Sequence, residues 1–159
     1  MRKRAGIKDK KVDEGFIVIG SDHAGLKLKE KIKDHLISRK KNIVDAGAYS
    51  KTAVDYPDYA DKVTGIVKKK KKAKGILICG TGTGMCMAAN RKRGIRAAVG
   101  YDTYSAKMSR NDNDANVLCL RGRNIKIKDQ LKIVDTWLRA DFSAKKRHER
   151  RINKLDSIR

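Results

Sequence analysis

The chain has 159 residues, 40% of them hydrophobic and only 5% aromatic, which suits one domain of ordinary size with roughly 68–70% of its extended surface buried on folding. Forty Lys and Arg stand against 18 Asp and Glu, for a net charge of +22, so a polyanionic partner has to be weighed. No apolar run approaches the roughly 20 residues of a membrane helix, and the opening MRKRAGIKDKKVDE lacks the apolar stretch of a secretory signal. A soluble, cytoplasmic protein is expected. Cys79, Cys86 and Cys119 are odd in number and lack CxxC spacing, which argues against a disulfide framework and a structural zinc site.

Residues 1–14, with six bases and three acids, read as a basic N-terminal extension to a single domain over 15–159. FIVIG at 16–20 is a short β-branched run ending in glycine. It reads as a strand feeding a helix over 25–40, where Leu26, Leu28, Ile32, Leu36 and Ile37 share one face and lysines fill the other. A second strand is expected over 42–46. Asp55 then stands where it can cap a helix, with Pro57 in the first turn. That segment closes on Lys68–Lys72 and Lys74, which suit a helix C-terminus. No aromatic residue is interleaved there for base stacking.

Three more strand–helix pairs follow: a strand over 75–79 with a glycine loop and a helix to about Arg93, a strand over 95–99 with a helix from about Thr103, and a strand over 116–120 with a helix through Trp137. The segment 143–158 reads as a last helix with a thin apolar edge of Ile152, Leu155 and Ile158 and a basic opposite face. Apolar strands alternating with helices predict a Rossmann-like three-layer α/β/α sandwich with a five-stranded parallel sheet and a C-terminal helix. Ligands bind such folds at the carboxyl ends of the strands.

The strongest local motif is Cys79-Gly80-Thr81-Gly82-Thr83-Gly84 between a strand and a helix. It fits neither the dinucleotide fingerprint, whose third glycine would fall on Met85, nor a Walker loop. It reads equally as an anion cradle with a thiol beside it or as a tight turn with a core cysteine. A helix N-terminus beside Cys79 would favour its thiolate; Cys86 and Cys119 read as small core residues. Asp22-His23 alone reads as a cap. Residues 111–114, NDND, read as a turn, on the carboxyl side of the sheet if the preceding helix ends there. Arg147 and Arg151 are spaced i,i+4, a spacing that can clamp one phosphate or form a solvated basic face.

Taken together, IVIGSDHAGLKLKEKI, VDAGAYS, VDYPDYADKV, GILICGTGTGMCMAANRKRGIRAA, YSAKMSRNDNDANVL and RHERRI resemble the ribose-5-phosphate isomerase B family, which also includes galactose-6-phosphate isomerase subunits. The resemblance runs from about Phe16 to about Ile152. It implies an aldose–ketose isomerase of carbohydrate metabolism, needing no metal or other cofactor, that interconverts ribose 5-phosphate and ribulose 5-phosphate through a cis-enediolate. On this resemblance Cys79 is the base, Thr81 assists at the reacting oxygens, and the amides of Gly80, Thr81, Gly82, Thr83 and Gly84 hold the enediolate. Asp22, His23, Tyr49 and Asn113 match sugar- and phosphate-contacting positions, and Arg123, Arg147 and Arg151 match phosphate-binding arginines.

The resemblance further implies a homodimer with sites at the subunit interface, a tetramer being left open, and Arg147 and Arg151 serving the neighbouring subunit's site. One position departs from the pattern. The family's ring-opening acid is usually a histidine just before the asparagine matched by Asn113, and here that position is Asp112. Aspartates as a class are ionised near neutral pH, so ring opening falls to Asp112 or to His148. Galactose 6-phosphate or allose 6-phosphate is the alternative substrate, since Tyr101-Asp102 before Tyr104 leaves the sugar length open. A basic nucleic-acid-binding protein on the same frame is the reading from another class; the chain has no RNP-like, KH-type or zinc-finger spacing to support it.

Overall fold

The computed structural model describes residues 15–158; the basic segment anticipated over 1–14 lies outside them. The chain alternates β1 (Ile17–Ser21), α1 (Leu26–Ser38), β2 (Ile43–Asp45), α2 (Tyr56–Lys69), β3 (Lys74–Cys79), α3 (Thr83–Asn90), β4 (Ala97–Val99), α4 (Thr103–Asn111), β5 (Val117–Arg121) and α5 (Ile127–Arg139), followed by α6 (Lys146–Ser157). All pairings are parallel, in the order β2-β1-β3-β5-β4. The expected Rossmann-like sandwich of five parallel strands is therefore the fold observed.

Both faces of the sheet are covered, which is why its central strands are apolar without alternation. Ile19, Ile76, Ile78, Leu118 and Leu120 pack beneath α1 and α5 through Leu28, Ile32, Leu36, Ile133 and the fully buried Trp137. On the other face Val18, Leu77, Cys79, Val117 and Cys119 meet Ala60, Val63 and Val67 of α2 and Met85 and Ala89 of α3. Helix α6 stands outside these layers with only His148 buried.

Two features of the order place the functional groups. The chain leaves β1 toward β2 and then returns across β1 to β3, so the crevice between the carboxyl ends of β1 and β3 is the switch point where such sheets bind ligands. Helix α4 starts beyond the carboxyl end of β4, fixed by a capping box in which Asp102 accepts from the Ser105 amide at 2.6 Å and Ser105 Oγ accepts from the Asp102 amide at 3.2 Å. It therefore runs back along the sheet and ends at the amino edge. The reading of residues 111–114 on the carboxyl side is corrected by this geometry: Asn116, just after them, accepts from the Arg96 amide at 2.8 Å, and β5 opens with Val117 beside Ala97 and Gly75. Asp55 occupies the N-cap position of α2 with Pro57 in the first turn, as expected, but its side chain makes no capping bond.

Candidate active site

Three loops converge at the carboxyl edge because backbone bonds tie them together. The Asp22 amide donates to the Ile78 carbonyl at 3.1 Å, the Gly122 amide to the Cys79 carbonyl at 2.8 Å and the Arg123 amide to the Gly80 carbonyl at 3.3 Å. A side chain at Gly25 would stand 2.5 Å from the Ile78 carbonyl oxygen, so only glycine lets the loop after β1 lie against the end of β3.

Cys79 ends β3 and is buried. Gly82, at φ +82°, reverses the chain and opens α3, and its amide donates to Cys79 Sγ at 3.2 Å. Negative charge on this sulfur thus meets an N–H donor and a helix N-terminus. The Thr83 amide donates to Thr81 Oγ1 at 3.3 Å, so two amides of the expected anion cradle are engaged within the loop. Gly84 lies under the Tyr56 ring, where an added methyl would approach to 2.9 Å. The Arg123 guanidinium borders the loop, its Nη1 3.5 Å from where a side chain on Gly80 would begin.

The end of β1 supplies Asp22 and His23. Asp22 is buried and its Oδ1 accepts from the Gly25 amide at 3.0 Å; the N-cap of α1 is Gly25 itself, with no side-chain capping bond, so Asp22 closes the turn before the helix and is not the cap read from sequence. The Val54 amide donates to His23 Nδ1 at 3.2 Å, which places the ring proton on Nε2 and leaves that nitrogen a donor. Tyr49 is exposed, its hydroxyl donating to the Asp45 carbonyl at 2.8 Å.

Behind Tyr49 is a residue the sequence reading passed over. Lys29 is completely buried; its ammonium bonds Asp45 Oδ1 at 2.7 Å and Glu30 Oε1 at 3.1 Å, and lies 4.9 Å from the Tyr49 ring centre. Asp45 also accepts from the Gly47 amide at 2.9 Å. Burial pushes the Asp45 carboxyl up, but hydrogen bonds from Lys29, Lys33 and Gly47 outweigh it and hold the group below the usual aspartate range. The only clue was positional: Lys29 falls three residues before Ile32 on the buried face of α1.

The remaining expected site residues stand at the opposite edge. Gly75 and Cys79 are four residues apart on β3, about 13 Å of strand, and Asp112, Asn113, Arg147, His148 and Arg151 gather near the Gly75 end. His148 is buried, with Nδ1 2.8 Å from Ser143 Oγ and 3.6 Å from Asp112 Oδ1, and its Nε2 accepts from Arg147 Nε at 3.0 Å. Asp156 near the end of α6 pairs with Arg96 at 3.1 Å, fixing the helix to the start of β4. Asn113, Arg147 and Arg151 are exposed. One chain therefore carries two groups of expected site residues on opposite edges of its sheet.

The other two cysteines differ from their expected inert role in one respect. Cys119 is buried and its thiol is pushed up, first by its hydrogen bond to Cys86 and then by burial. Cys86 is half-buried, with Asn90 Nδ2 3.5 Å from its sulfur, and the bond from Cys119 lowers it to about 7 despite partial burial.

Among the described residues no group of three or more His, Cys, Asp or Glu is placed to hold a metal ion, and no helix is long and apolar enough to cross a membrane. A family profile described as Ribose/Galactose Isomerase matches residues 17–155. The probable ribose-5-phosphate isomerase B of Mycoplasma genitalium is 47% identical over 141 residues, covering 87% of this chain and 92% of that protein. The crystal structure of a Thermotoga maritima ribose 5-phosphate isomerase aligns with a TM-score of 0.87 at 46% identity, covering 91% of this chain and 99% of that one. The Mycoplasma genitalium ribose-5-phosphate isomerase B with bound ribulose-5-phosphate aligns at 0.84 and 46% identity, covering 88% of this chain and 93% of that one.

Proposed function

The chain belongs to the ribose/galactose isomerase family, and we propose that it interconverts ribose 5-phosphate and ribulose 5-phosphate with Cys79 as the base. The observation that carries this reading is the Cys79 sulfur at the β1/β3 switch point, held by the Gly82 amide in a glycine loop that opens α3.

The chemistry follows from that placement. The Cys79 thiolate takes the proton from C2 of the open-chain aldose, the C–H electron pair forms the C1–C2 double bond of a cis-enediolate as the C1 carbonyl π pair moves onto O1, and the thiol returns the proton to C1 as O2 loses its proton and becomes the C2 carbonyl. The transfer between the two oxygens is assisted by the Thr81 hydroxyl. Charge developing on the oxygens is met by loop amides and by the start of α3. His23, with its proton on Nε2, and Tyr49 contact the sugar.

The phosphate and the ring-opening step need the other edge. We infer a homodimer in which the amino edge of one subunit faces the carboxyl edge of the next, bringing Asn113, Arg147 and Arg151 to the partner's Cys79. This accounts for the exposure of three polar residues matched to substrate contacts. It also divides the labour between Asp112 and His148. Both nitrogens of His148 are engaged, by Ser143 and Arg147, so His148 orients Arg147 and Asp112, and Asp112 is the group that faces the furanose oxygen.

The deciding experiment is conversion of ribose 5-phosphate by the purified chain with chelator present, beside Cys79→Ala and with galactose 6-phosphate and allose 6-phosphate as competing substrates. Turnover of the pentose that falls by about 10²–10⁴-fold in the variant supports the reading. Full activity of the variant refutes the cysteine base, and faster turnover of a hexose phosphate reassigns the substrate.

A further inference from the structure

The lysine run that closes α2 has no part in the isomerase site, yet the fold gathers it with other cations around a second cavity. This hollow of about 450 Å³ lies at the amino edge of the sheet, and among the described residues its lining includes Lys41, Lys71, Lys74, Arg96 and Arg110, with Asp114 the one carboxylate. The size is that of a small-molecule site.

The two arginines consume Asp114. Arg96 pairs with one of its oxygens at 3.0 Å and Arg110 with the other at 2.7 Å. Arg96 reaches Asp156 as well, and Arg110 donates to the Ala115 carbonyl at 2.7 Å. Lys74 is treated differently. It is half-buried, and among the described residues its ammonium donates to the Leu138 carbonyl at 3.5 Å and no carboxylate lies within 4.0 Å of it. Its ammonium lies 5.7 Å from the Trp137 ring centre, and the Arg110 guanidinium lies 6.0 Å from the same centre. Burial, and then the Arg110 charge, hold this ammonium below the usual lysine range. A half-buried cation facing a hollow lined by like charges is costly unless an anion enters.

We propose that this amino-edge cavity binds a small polyanion bearing linked phosphates, with Lys74 as its half-buried anchor and Lys41 and Lys71 closing on it from the rim. Several cations around one hollow select for more than one negative charge on the ligand. The volume is enough for a compact diphosphate. The cavity lies at the other end of β3 from Cys79 of the same chain, and the Arg147→Ala arm of the test distinguishes it from the substrate contacts inferred at this edge.

Inorganic pyrophosphate is the probe, titrated calorimetrically into the full chain at 150 mM salt, about physiological ionic strength. One saturable site per chain is expected, weakened about tenfold by Lys74→Gln, the cost of one charge-assisted hydrogen bond, and severalfold by the exposed Lys71→Gln, which spares the core. Lys128→Gln on α5 removes the same charge elsewhere and should leave binding unchanged. So should Arg147→Ala. The Michaelis constant for ribose 5-phosphate should not move in Lys74→Gln. Absence of saturable binding, equal weakening by Lys128→Gln, loss of binding through Arg147→Ala, or wild-type affinity in both Lys74→Gln and Lys71→Gln overturns the proposal.

Discussion

The two edges of the sheet build their groups in opposite ways. At the carboxyl edge, Cys79, Asp22 and Gly82 are buried, and the loops that carry them are held by backbone bonds between the ends of β1, β3 and β5. At the amino edge, Asn113, Arg147 and Arg151 are exposed on the end of α4 and on α6, a helix with one buried residue. The first edge is preorganised by the fold that makes the sheet, so its geometry is fixed before substrate arrives. The second is organised around His148 and the Arg96–Asp156 pair, and on the proposed reading acquires its function when a partner subunit closes over it. On the proposed reading the chemistry sits on the rigid half and the recognition of charge on the adaptable one.

That contrast predicts unequal consequences of substitution. Cys79→Ala should abolish proton transfer, with kcat falling about 10²–10⁴-fold and the thermal midpoint hardly moving, as read by isomerase assay and calorimetry. Arg147→Ala should act on binding, raising the Michaelis constant about 10–100-fold through loss of a charge-assisted phosphate contact with a smaller change in kcat. Lys29→Met should cost about 2 kcal/mol in urea unfolding, since Asp45 keeps Lys33 and the Gly47 amide.

The same ion pair carries a pH dependence. Asp45 is held below the ordinary aspartate range in the folded chain. The unfolded state therefore takes up the proton first as pH falls. The stabilisation is full above about pH 4 and is lost as the pH drops through the depressed folded-state value. Unfolding curves of wild type and Lys29→Met should accordingly converge in acid. The smallest effect concerns Cys86: in a Cys79→Ala background, its alkylation by iodoacetamide should rise with a midpoint at about pH 7, and Asn90→Ala should move that midpoint upward.

Element order and type were legible because each buried strand is a short β-branched run and each helix keeps an apolar face; Ile76 to Cys79 and the α1 stripe are the clearest cases. The carboxyl edge was legible for the same reason, since a glycine loop directly after such a strand can only lie there. The amino-edge placement of Asp112 and Asn113 was not, because a turn between helix and strand looks the same on either edge until the direction of the helix is fixed. Lys29 was hidden by its neighbours. Among the four lysines of α1 it is the one that is buried, and its contact with Asp45 spans 16 residues of sequence. The pairing of His148 with Asp112 likewise depends on where α6 returns to the sheet, which no local pattern encodes.

The division of one site between two chains is tested most directly by mixing subunits. Cys79→Ala and Arg147→Ala are prepared separately, each impaired, then unfolded together, refolded and assayed for ribose 5-phosphate conversion. Random pairing into dimers puts an intact carboxyl edge opposite an intact amino edge at about one site in four, so activity should return to roughly a quarter of wild type. A mixture no more active than the sum of its parts would mean that Cys79 and Arg147 do not meet across subunits.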